Sequence, residues 1–258
     1  MRIATWNINS VRLRLPQVIR VLRDFNLDVL CLQETKTQDN TFPANEIAEA
    51  GWPYQSVRGE KSYNGVAILS RLPIKESGFQ DWLGKGDSRH IAAKINGIEI
   101  HNIYLPAGGD IPDRNENIKF GHKLDFISAV TKFFEQNKPT SSVLLGDLNV
   151  APLAKDVWST NQLKNVVSHT DIERKNLISM QEKGGWVDVV RSFFGADEKL
   201  YSWWSYRARD YLTSNRGRRL DHIWTTSDLA THVKKVEIHF KTRGWEKPSD
   251  HVPISLEL

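Results

Sequence analysis

Six short clusters of polar side chains each close an apolar, strand-like run. They are Trp6-Asn7-Ile8-Asn9, Gln33-Glu34-Thr35, Tyr104-Leu105-Pro106, Gly146-Asp147-Leu148-Asn149, Arg219-Leu220-Asp221-His222 and Ser249-Asp250-His251. Carboxylates, carboxamides, a phenol and an imidazole thus recur where buried strands give way to loops, the rim on which α/β proteins gather polar groups from distant parts of the chain. Hard oxygen ligands beside one base and several donors suit metal-assisted phosphoryl chemistry. The strongest local signal is Gly146-Asp147-Leu148-Asn149. Glycine lets the strand end in a tight turn, and the two alternate polar residues then point to one side, able to hold an attacking water. Glu34 follows the interior run Val29-Leu30-Cys31-Leu32. A carboxylate there is costly unless paired or metal-bound, and an ion that retains several waters describes magnesium better than calcium.

Asp221 and His251 supply an aspartate that can fix an imidazole's tautomer and raise its basicity. Tyr104 offers a phenol to a developing oxyanion or leaving group. Each of these residues also has a structural reading. Asp147 and Asn149 suit an ordinary strand-closing turn, and Glu34 a cap or salt bridge. Likewise His251 suits a cap on the last strand, and Tyr104 a core phenol with its hydroxyl at the rim.

Positioning these groups falls to elements that the hydrophobic pattern outlines. Strands are predicted at Arg2 to Ile8, Asp28 to Leu32, Tyr54 to Val57, Gly65 to Ser70, His90 to Ile95, Ile98 to Leu105 and Val143 to Leu145. Others follow at Ser202 to Tyr206, Arg219 to Trp224, Val233 to Phe240 and Pro253 to Leu258. Helical spacing predicts a helix over Leu15 to Phe25, a long one from Pro112-Asp113 to about Gln136, and others around Ile172 to Gln181 and Val187 to Phe194. No linker, low-complexity tract or fixed-period repeat divides the chain, although Asn7 and Asn149 each follow a short strand in similar fashion. Because the clusters run from Trp6 to His251, residues 1–258 are expected to form one domain that joins both termini on adjacent central strands. Hairpins mixed with helices point to an α/β fold, two mixed sheets face to face with helices outside.

Composition narrows the function. The chain has 258 residues, enough for one large core, and a single cysteine, which excludes an intrachain disulfide or a cysteine-built zinc site. Cys31 reads as a buried small hydrophobe. No leader-like segment or membrane-length apolar run is present, so a reducing, cytoplasmic location and no membrane partner are expected. The net charge of +4 permits a polyanionic partner, and its distribution favours one. Arg207, Arg209, Arg216, Arg218 and Arg219 face one acid, Asp210, just after the aromatics Tyr201, Trp203, Trp204 and Tyr206. Arginine interleaved with aromatics grips phosphates and touches sugars or bases; the alternative is a solvated loop after a core strand. Walker-type, serine-elbow and dinucleotide-binding motifs are absent, which disfavours nucleotide switching and serine-hydrolase chemistry.

In their order and spacing these clusters resemble the exonuclease III family of apurinic/apyrimidinic endonucleases, within the endonuclease/exonuclease/phosphatase superfamily. The likeness spans essentially the whole chain: Trp6-Asn7-Ile8-Asn9, Leu32-Gln33-Glu34-Thr35-Lys36, Gly146-Asp147-Leu148-Asn149-Val150, Tyr201-Ser202-Trp203-Trp204-Ser205-Tyr206, Asn215-Arg216-Gly217-Arg218-Arg219-Leu220-Asp221 and Ser249-Asp250-His251-Val252-Pro253-Ile254. The resemblance implies a four-layer α/β sandwich with the site at one edge. It implies a DNA repair hydrolase that cuts the backbone 5′ to an abasic site in duplex DNA, leaves a 3′-hydroxyl, and has 3′–5′ exonuclease and 3′-phosphodiesterase activities. It further implies Mg2+, replaceable by Mn2+, held by Asn7 and Glu34, with Asp147, Asn149, Asp250 and His251 as further candidate ligands. Asp147 would orient or deprotonate the water, with Asn149 positioning it and stabilising charge on the phosphorane. His251, oriented by Asp221, would contact the scissile phosphate, and Tyr104 would serve the leaving oxygen.

Arg207, Arg209, Arg216 and Trp203 are the expected substrate contacts, the substrate being double-stranded DNA with abasic or 3′-blocked sites and the protein a monomer. The chain departs from common family patterns at Asn9, where several relatives carry aspartate, at Ala107, where many place a polar amide, and at Arg218, aromatic or aliphatic in some members. Two alternatives stand. One is another phosphoesterase on the same scaffold, a nonspecific DNase, sphingomyelinase or inositol-phosphate phosphatase; the other is a non-enzymatic DNA-binding module. The arginine-rich loop speaks against a lipid or inositol headgroup, and the presence of Glu34, Asp147, Asp221 and His251 speaks against lost catalysis.

Overall fold

The computed structural model describes residues 1–207 and 210–258. Along them run β1 (Arg2–Asn7), β2 (Val29–Gln33), β3 (Tyr54–Arg58), β4 (Val66–Ser70), β5 (Ile74–Gly78) and β6 (His90–Ile95). Then come β7 (Ile98–Tyr104), β8 (Ser142–Asp147), β9 (Val187–Asp188), β10 (Asp221–Thr225), β11 (Lys235–Ile238) and β12 (Ile254–Glu257). They form two six-stranded sheets, ordered β11-β12-β1-β2-β4-β3 and β5-β6-β7-β8-β10-β9. Each sheet holds one parallel pair at its centre, β1 with β2 and β7 with β8. Parallel neighbours need a crossover, and helices supply it: α1 (Leu15–Asp24) in the first case, and α3 (Ile118–Gln136) in the second. Between those two helices α2 (Ala44–Glu49) precedes β3.

Strand residues alternate between two buried faces, which is why these runs are apolar throughout. Ile3, Val29, Cys31 and Ile68 point inward and meet Ile91, Ile100, Val143, Leu145 and Ile223 of the other sheet. The intervening Ala4, Trp6, Leu30, Leu32 and Leu69 face Val18, Val21 and Leu22 of α1 and Ile47 of α2. On the far side Ile103, Leu144 and Trp224 face Phe126, Ile127, Val130 and Phe134 of α3. Leu177 and Met180, from the helix over Asp171–Gly184, complete that layer. The result is the expected four-layer α/β sandwich, with Cys31 buried in its central layer. The termini meet as expected: β1 pairs antiparallel with β12, and the Met1 amino group donates to the Leu258 carbonyl at 2.7 Å.

The two sheets repeat one plan. Reading each from β12 or β6 inward gives antiparallel, parallel, antiparallel, antiparallel neighbours in the same order. This correspondence sets β1 against β7 and β2 against β8. The positional counterpart of Asn7 is therefore Tyr104, not Asn149, whose strand corresponds to that of Glu34.

Several predicted boundaries move for local reasons. The long helix begins at Ile118 and not at Pro112-Asp113, because Asn117 caps it, its Oδ1 accepting the Lys119 N–H at 3.0 Å. Ser202 to Tyr206 is not a strand; Trp203 makes only isolated bridges, to Arg218 and His251. The segment Val187 to Phe194 opens with the two residues of β9 before turning helical, where Asp188 caps it through the Arg191 N–H. The strand β5 escaped the pattern because Lys75, Glu76 and Ser77 lie at an exposed sheet edge.

One glycine decides how β8 ends. Gly146 has φ +139°, and a Cβ there would lie 1.9 Å from the Ile103 carbonyl oxygen on β7. Gly146→Ala is expected to lose about 3 kcal/mol or more of stability in urea denaturation, from combined clash and backbone strain. A loss below about 1 kcal/mol would contradict this close approach.

Candidate active site

The polar clusters converge because the central parallel pairs of both sheets end on the same rim, the position where α/β sheets present ligands. Asn7 ends β1 and Glu34 follows β2, while Tyr104 ends β7 and Asp147 ends β8. Asp221 opens β10 directly opposite Asp147 in register, and His251 lies just ahead of β12. Past the strand ends the backbone turns sharply. Asn9, Glu34, Lys36 and Asn149 all have φ between 47° and 52°, the left-handed region that costs a side-chain-bearing residue on the order of 1–2 kcal/mol. Hydrogen bonds hold them there, among them Ser10 N–H to Glu34 O at 2.8 Å and Lys36 N–H to Asn64 O at 3.0 Å.

Asn7 is fully buried, and its Nδ2 donates to Glu34 Oε1 at 2.9 Å and to Asp147 Oδ2 at 2.8 Å. The Tyr104 hydroxyl donates to Glu34 Oε1 at 2.9 Å, and Lys36 Nζ lies 2.8 Å from Glu34 Oε2. Asn149 donates its backbone N–H to Asp147 Oδ1 at 2.9 Å and its Nδ2 to Asp147 Oδ2 at 3.1 Å. His251 Nδ1 donates to Asp221 Oδ2 at 2.8 Å, which leaves Nε2 at 3.7 Å from Asp147 Oδ2. Asp250 spans Asn9 Nδ2 at 3.1 Å and Trp203 Nε1 at 2.9 Å.

Burial raises the Asp147 carboxyl to about 7, and the nearby charges of Asp221 and Glu34 add to this against the pull of His251 and Asn7. For His251 burial acts downward, but the carboxylates of Asp221 and Asp147 outweigh it and lift the imidazole to about 10. Burial, then the charges of Glu34 and Asp147, push Tyr104 well above the ordinary phenol range, so its hydroxyl keeps its proton. Glu34 is disfavoured by burial yet held below its usual value by Lys36 and by its bonds to Asn7 and Lys36.

This donor set fits a hard divalent cation. Asp147, Asp221 and His251 bring ligand atoms within 4.8 Å of one another, and Asp221 Oδ1 is buried with no partner among the described residues. Asn7 turns its NH2, not its oxygen, toward the carboxylates, the oxygen accepting the Asn9 N–H at 3.1 Å. For Asn7 to serve as a ligand its amide must turn over.

Around this centre opens a cleft of about 970 Å³ lined by Ala107, Asn149, Trp158, Trp203, Arg207, Arg216 and Arg218 among others. Trp203, Arg207 and Arg216 therefore reach the cleft as expected, and Arg209 lies outside the described residues. The rest of the arginine–aromatic stretch does other work. Arg219 is fully buried, 2.7 Å from both Asp156 and Asp188, and Tyr201 and Trp204 are core residues. Tyr206 accepts from Arg14 Nη2 at 2.9 Å and donates to the Pro248 carbonyl.

Sequence reasoning missed Lys123 and Glu173, both fully buried and paired behind the site. Lys123 Nζ donates to Asn149 O at 2.8 Å and to Ala107 O at 3.2 Å, so it holds the backbone on either side of the reacting groups. Its signal was a lone lysine between Phe120 and Leu124 on the apolar face of α3. Thr170-x-x-Glu173, a capping box, was also legible. Trp158, under the Arg216 guanidinium at 4.7 Å, carried no signal.

The model of the Endonuclease/Exonuclease/phosphatase family matches residues 4–251. The chain belongs to that family, whose members are metal-dependent phosphoester-cleaving enzymes. It is 28% identical to the exodeoxyribonuclease III of Haemophilus influenzae, over 100% of both chains. An AP endonuclease structure from Archaeoglobus fulgidus superposes with a TM-score of 0.93 at 34% identity, over 100% of this chain and 99% of that one. The 3′ phosphatase NExo from Neisseria, bound to a product DNA hairpin, does so with a TM-score of 0.92 at 32% identity, again over 100% and 99%.

Because the folded His251 pKa lies above its ordinary 6.5, the imidazolium contributes stability that is fully present below pH 6.5 and lost as pH rises through about 10. Asp221→Asn removes the carboxylate that does most to raise it. In metal-free protein, NMR titration of His251 is expected to move down by at least about one pH unit in that variant. An unchanged titration would show that Asp221 does not set the imidazole's charge.

Proposed function

We propose that the chain is a DNA repair hydrolase that cuts the phosphodiester backbone 5′ to abasic sites in duplex DNA and leaves a 3′-hydroxyl, with 3′–5′ exonuclease and 3′-phosphodiesterase activity on blocked ends. One observation carries this reading. Two carboxylates from separate sheets, bridged by one amide and faced by an Asp–His pair, lie at the floor of a cleft walled by arginine and tryptophan. The relatives' names support the substrate class.

In this reading Asp147 holds the attacking water and takes its proton. Asn149 fixes the Asp147 carboxylate and can turn its NH2 to the phosphorane. The imidazolium of His251, kept charged and oriented by Asp221, meets the non-bridging oxygens. Tyr104, protonated throughout the neutral range, donates to the leaving O3′. The water oxygen bonds to phosphorus, the bond from phosphorus to O3′ breaks, and O3′, held by the Tyr104 hydrogen bond, takes a proton from solvent and leaves as a hydroxyl. Mg2+, with Mn2+ as a substitute, would be held by Glu34 and Asp147, with Asn7, Asn149, Asp250 and His251 around it. When bound it neutralises charge on the phosphate and leaving oxygen. Trp203, Arg207, Arg209 and Arg216 grip the DNA. Residues 1–258 act as one catalytic domain and as a monomer. Among the described residues no helix is long and apolar enough to cross a membrane, and a cytoplasmic place of action suits an enzyme of chromosomal DNA.

The test is incision of a duplex carrying one tetrahydrofuran abasic analogue, which cannot undergo β-elimination. A cut 5′ to the analogue with Mg2+ is expected, abolished by EDTA and reduced by about 10²-fold or more in Glu34→Gln. Absence of incision by folded, Mg2+-supplied protein would overturn the abasic-site reading in favour of another phosphoester substrate.

A further inference from the structure

We propose that Arg218 is a specificity-determining residue that favours substrates ending in a 3′-phosphomonoester; this rests on the DNA-hydrolase reading above. Among the described residues three arginines reach the cleft, and they are held differently. Arg207 and Arg216 are exposed at its edge. Arg218 is pinned inside the wall: its Nη1 donates to Val167 O at 3.1 Å and to Ser168 Oγ at 2.8 Å, and its guanidinium lies 5.3 Å from the centre of the Trp203 ring. Trp203 in turn donates to Asp250 and forms a backbone bridge with His251. The cation is thus fastened, through one tryptophan, to the segment carrying the catalytic imidazole. Its hydrogen bonds among the described residues run through Nη1 alone, and Arg218 is one of the residues that line the cleft.

The charge balance says what such an edge would take. Glu34, Asp147, Asp221 and Asp250 gather four carboxylates here against Lys36 and His251. A diester brings one negative charge into this field, a terminal phosphomonoester roughly 1.5 to 2. The monoester gains more from an added fixed cation, and a planar guanidinium with donors beyond Nη1 matches its extra terminal oxygen. The reaction is the one already described with a different leaving arrangement. Water adds to phosphorus, the bond to O3′ breaks, inorganic phosphate departs, and O3′ takes the proton.

The experiment compares kcat/KM on two duplexes of one sequence, one nicked with a 3′-phosphate and one with an internal tetrahydrofuran site, for the wild type and Arg218→Met. The ratio of 3′-phosphate to tetrahydrofuran activity is expected to fall by about tenfold or more, with most of the loss in KM for the 3′-phosphate. Inhibition by inorganic phosphate should weaken in parallel. A ratio within about threefold of wild type, or one that rises, overturns the proposal. Should Arg218→Met not fold, Arg218→Lys keeps the charge and loses the fork. Its ratio is then expected to fall by threefold or more, and an unchanged ratio overturns the proposal equally. Failure of the wild type to cut the tetrahydrofuran duplex overturns the abasic-site reading alone; the role of Arg218 is then judged on the 3′-phosphate rate and phosphate inhibition, which must both weaken.

Discussion

Asn7 donates to Glu34, on the sheet it shares, and to Asp147, on the other sheet, through the two hydrogens of one buried amide. Among the described residues no other bond at the rim ties the two carboxylates together so directly, and most of the site is arranged around it. Two carboxylates brought together in a buried setting repel and resist ionisation. The amide offsets part of that repulsion, Lys36 and His251 offset more, and Tyr104 adds a further donor to Glu34. What remains is a centre poised to accept a positive ion, reflected in the raised Asp147 carboxyl and the unpartnered oxygen of Asp221.

The architecture explains why one amide suffices. Both sheets follow the same plan, so their parallel pairs end on the same rim, and the core between them fixes their separation with rigid, close-packed side chains. Behind that rim lie two buried ionic clusters, Lys123 with Glu173 and Asp156 with Arg191 and Arg219. Neither lines the cleft itself. Lys123 holds the carbonyl of Asn149, and Arg219 precedes Leu220 and Asp221, so each anchors a catalytic segment from below. Removing one partner of such a pair leaves an uncompensated buried charge, the costly half of a buried salt bridge.

Much of this was legible in the chain. Asn7, Glu34, Tyr104, Asp147, Asn149, Asp221 and His251 were all singled out as polar residues closing apolar runs, and all meet at the rim, although Asp221 and His251 stand at the start of β10 and ahead of β12 and do not close a strand. That worked because a strand end is a local feature with a two-residue period. The sheet order was only partly legible, because nothing local says that β2 pairs with β4 and not β3. Arg219 misled for the opposite reason: composition reads an arginine as a surface charge, and only tertiary structure reveals Asp156 and Asp188 beside it. The Ser202 to Tyr206 segment alternates like a strand yet contributes isolated bridges, because its pairing partners are single residues of two different loops. Lys123 was hidden by its neighbours, since an apolar helix face gives no hint that a lysine within it reaches a glutamate from another helix.

The most direct measurement is Mn2+ binding by the wild type and Asn7→Ala, followed by electron paramagnetic resonance, with circular dichroism to verify that both are folded. If the amide organises Glu34 and Asp147 into one cation site, the wild type binds Mn2+ at that centre and the variant binds it at least about tenfold more weakly, a loss on the scale of one or two buried hydrogen bonds. Equal affinity in the two proteins would mean that the carboxylates hold the ion without the bridge, and the account of the site built on Asn7 would be wrong.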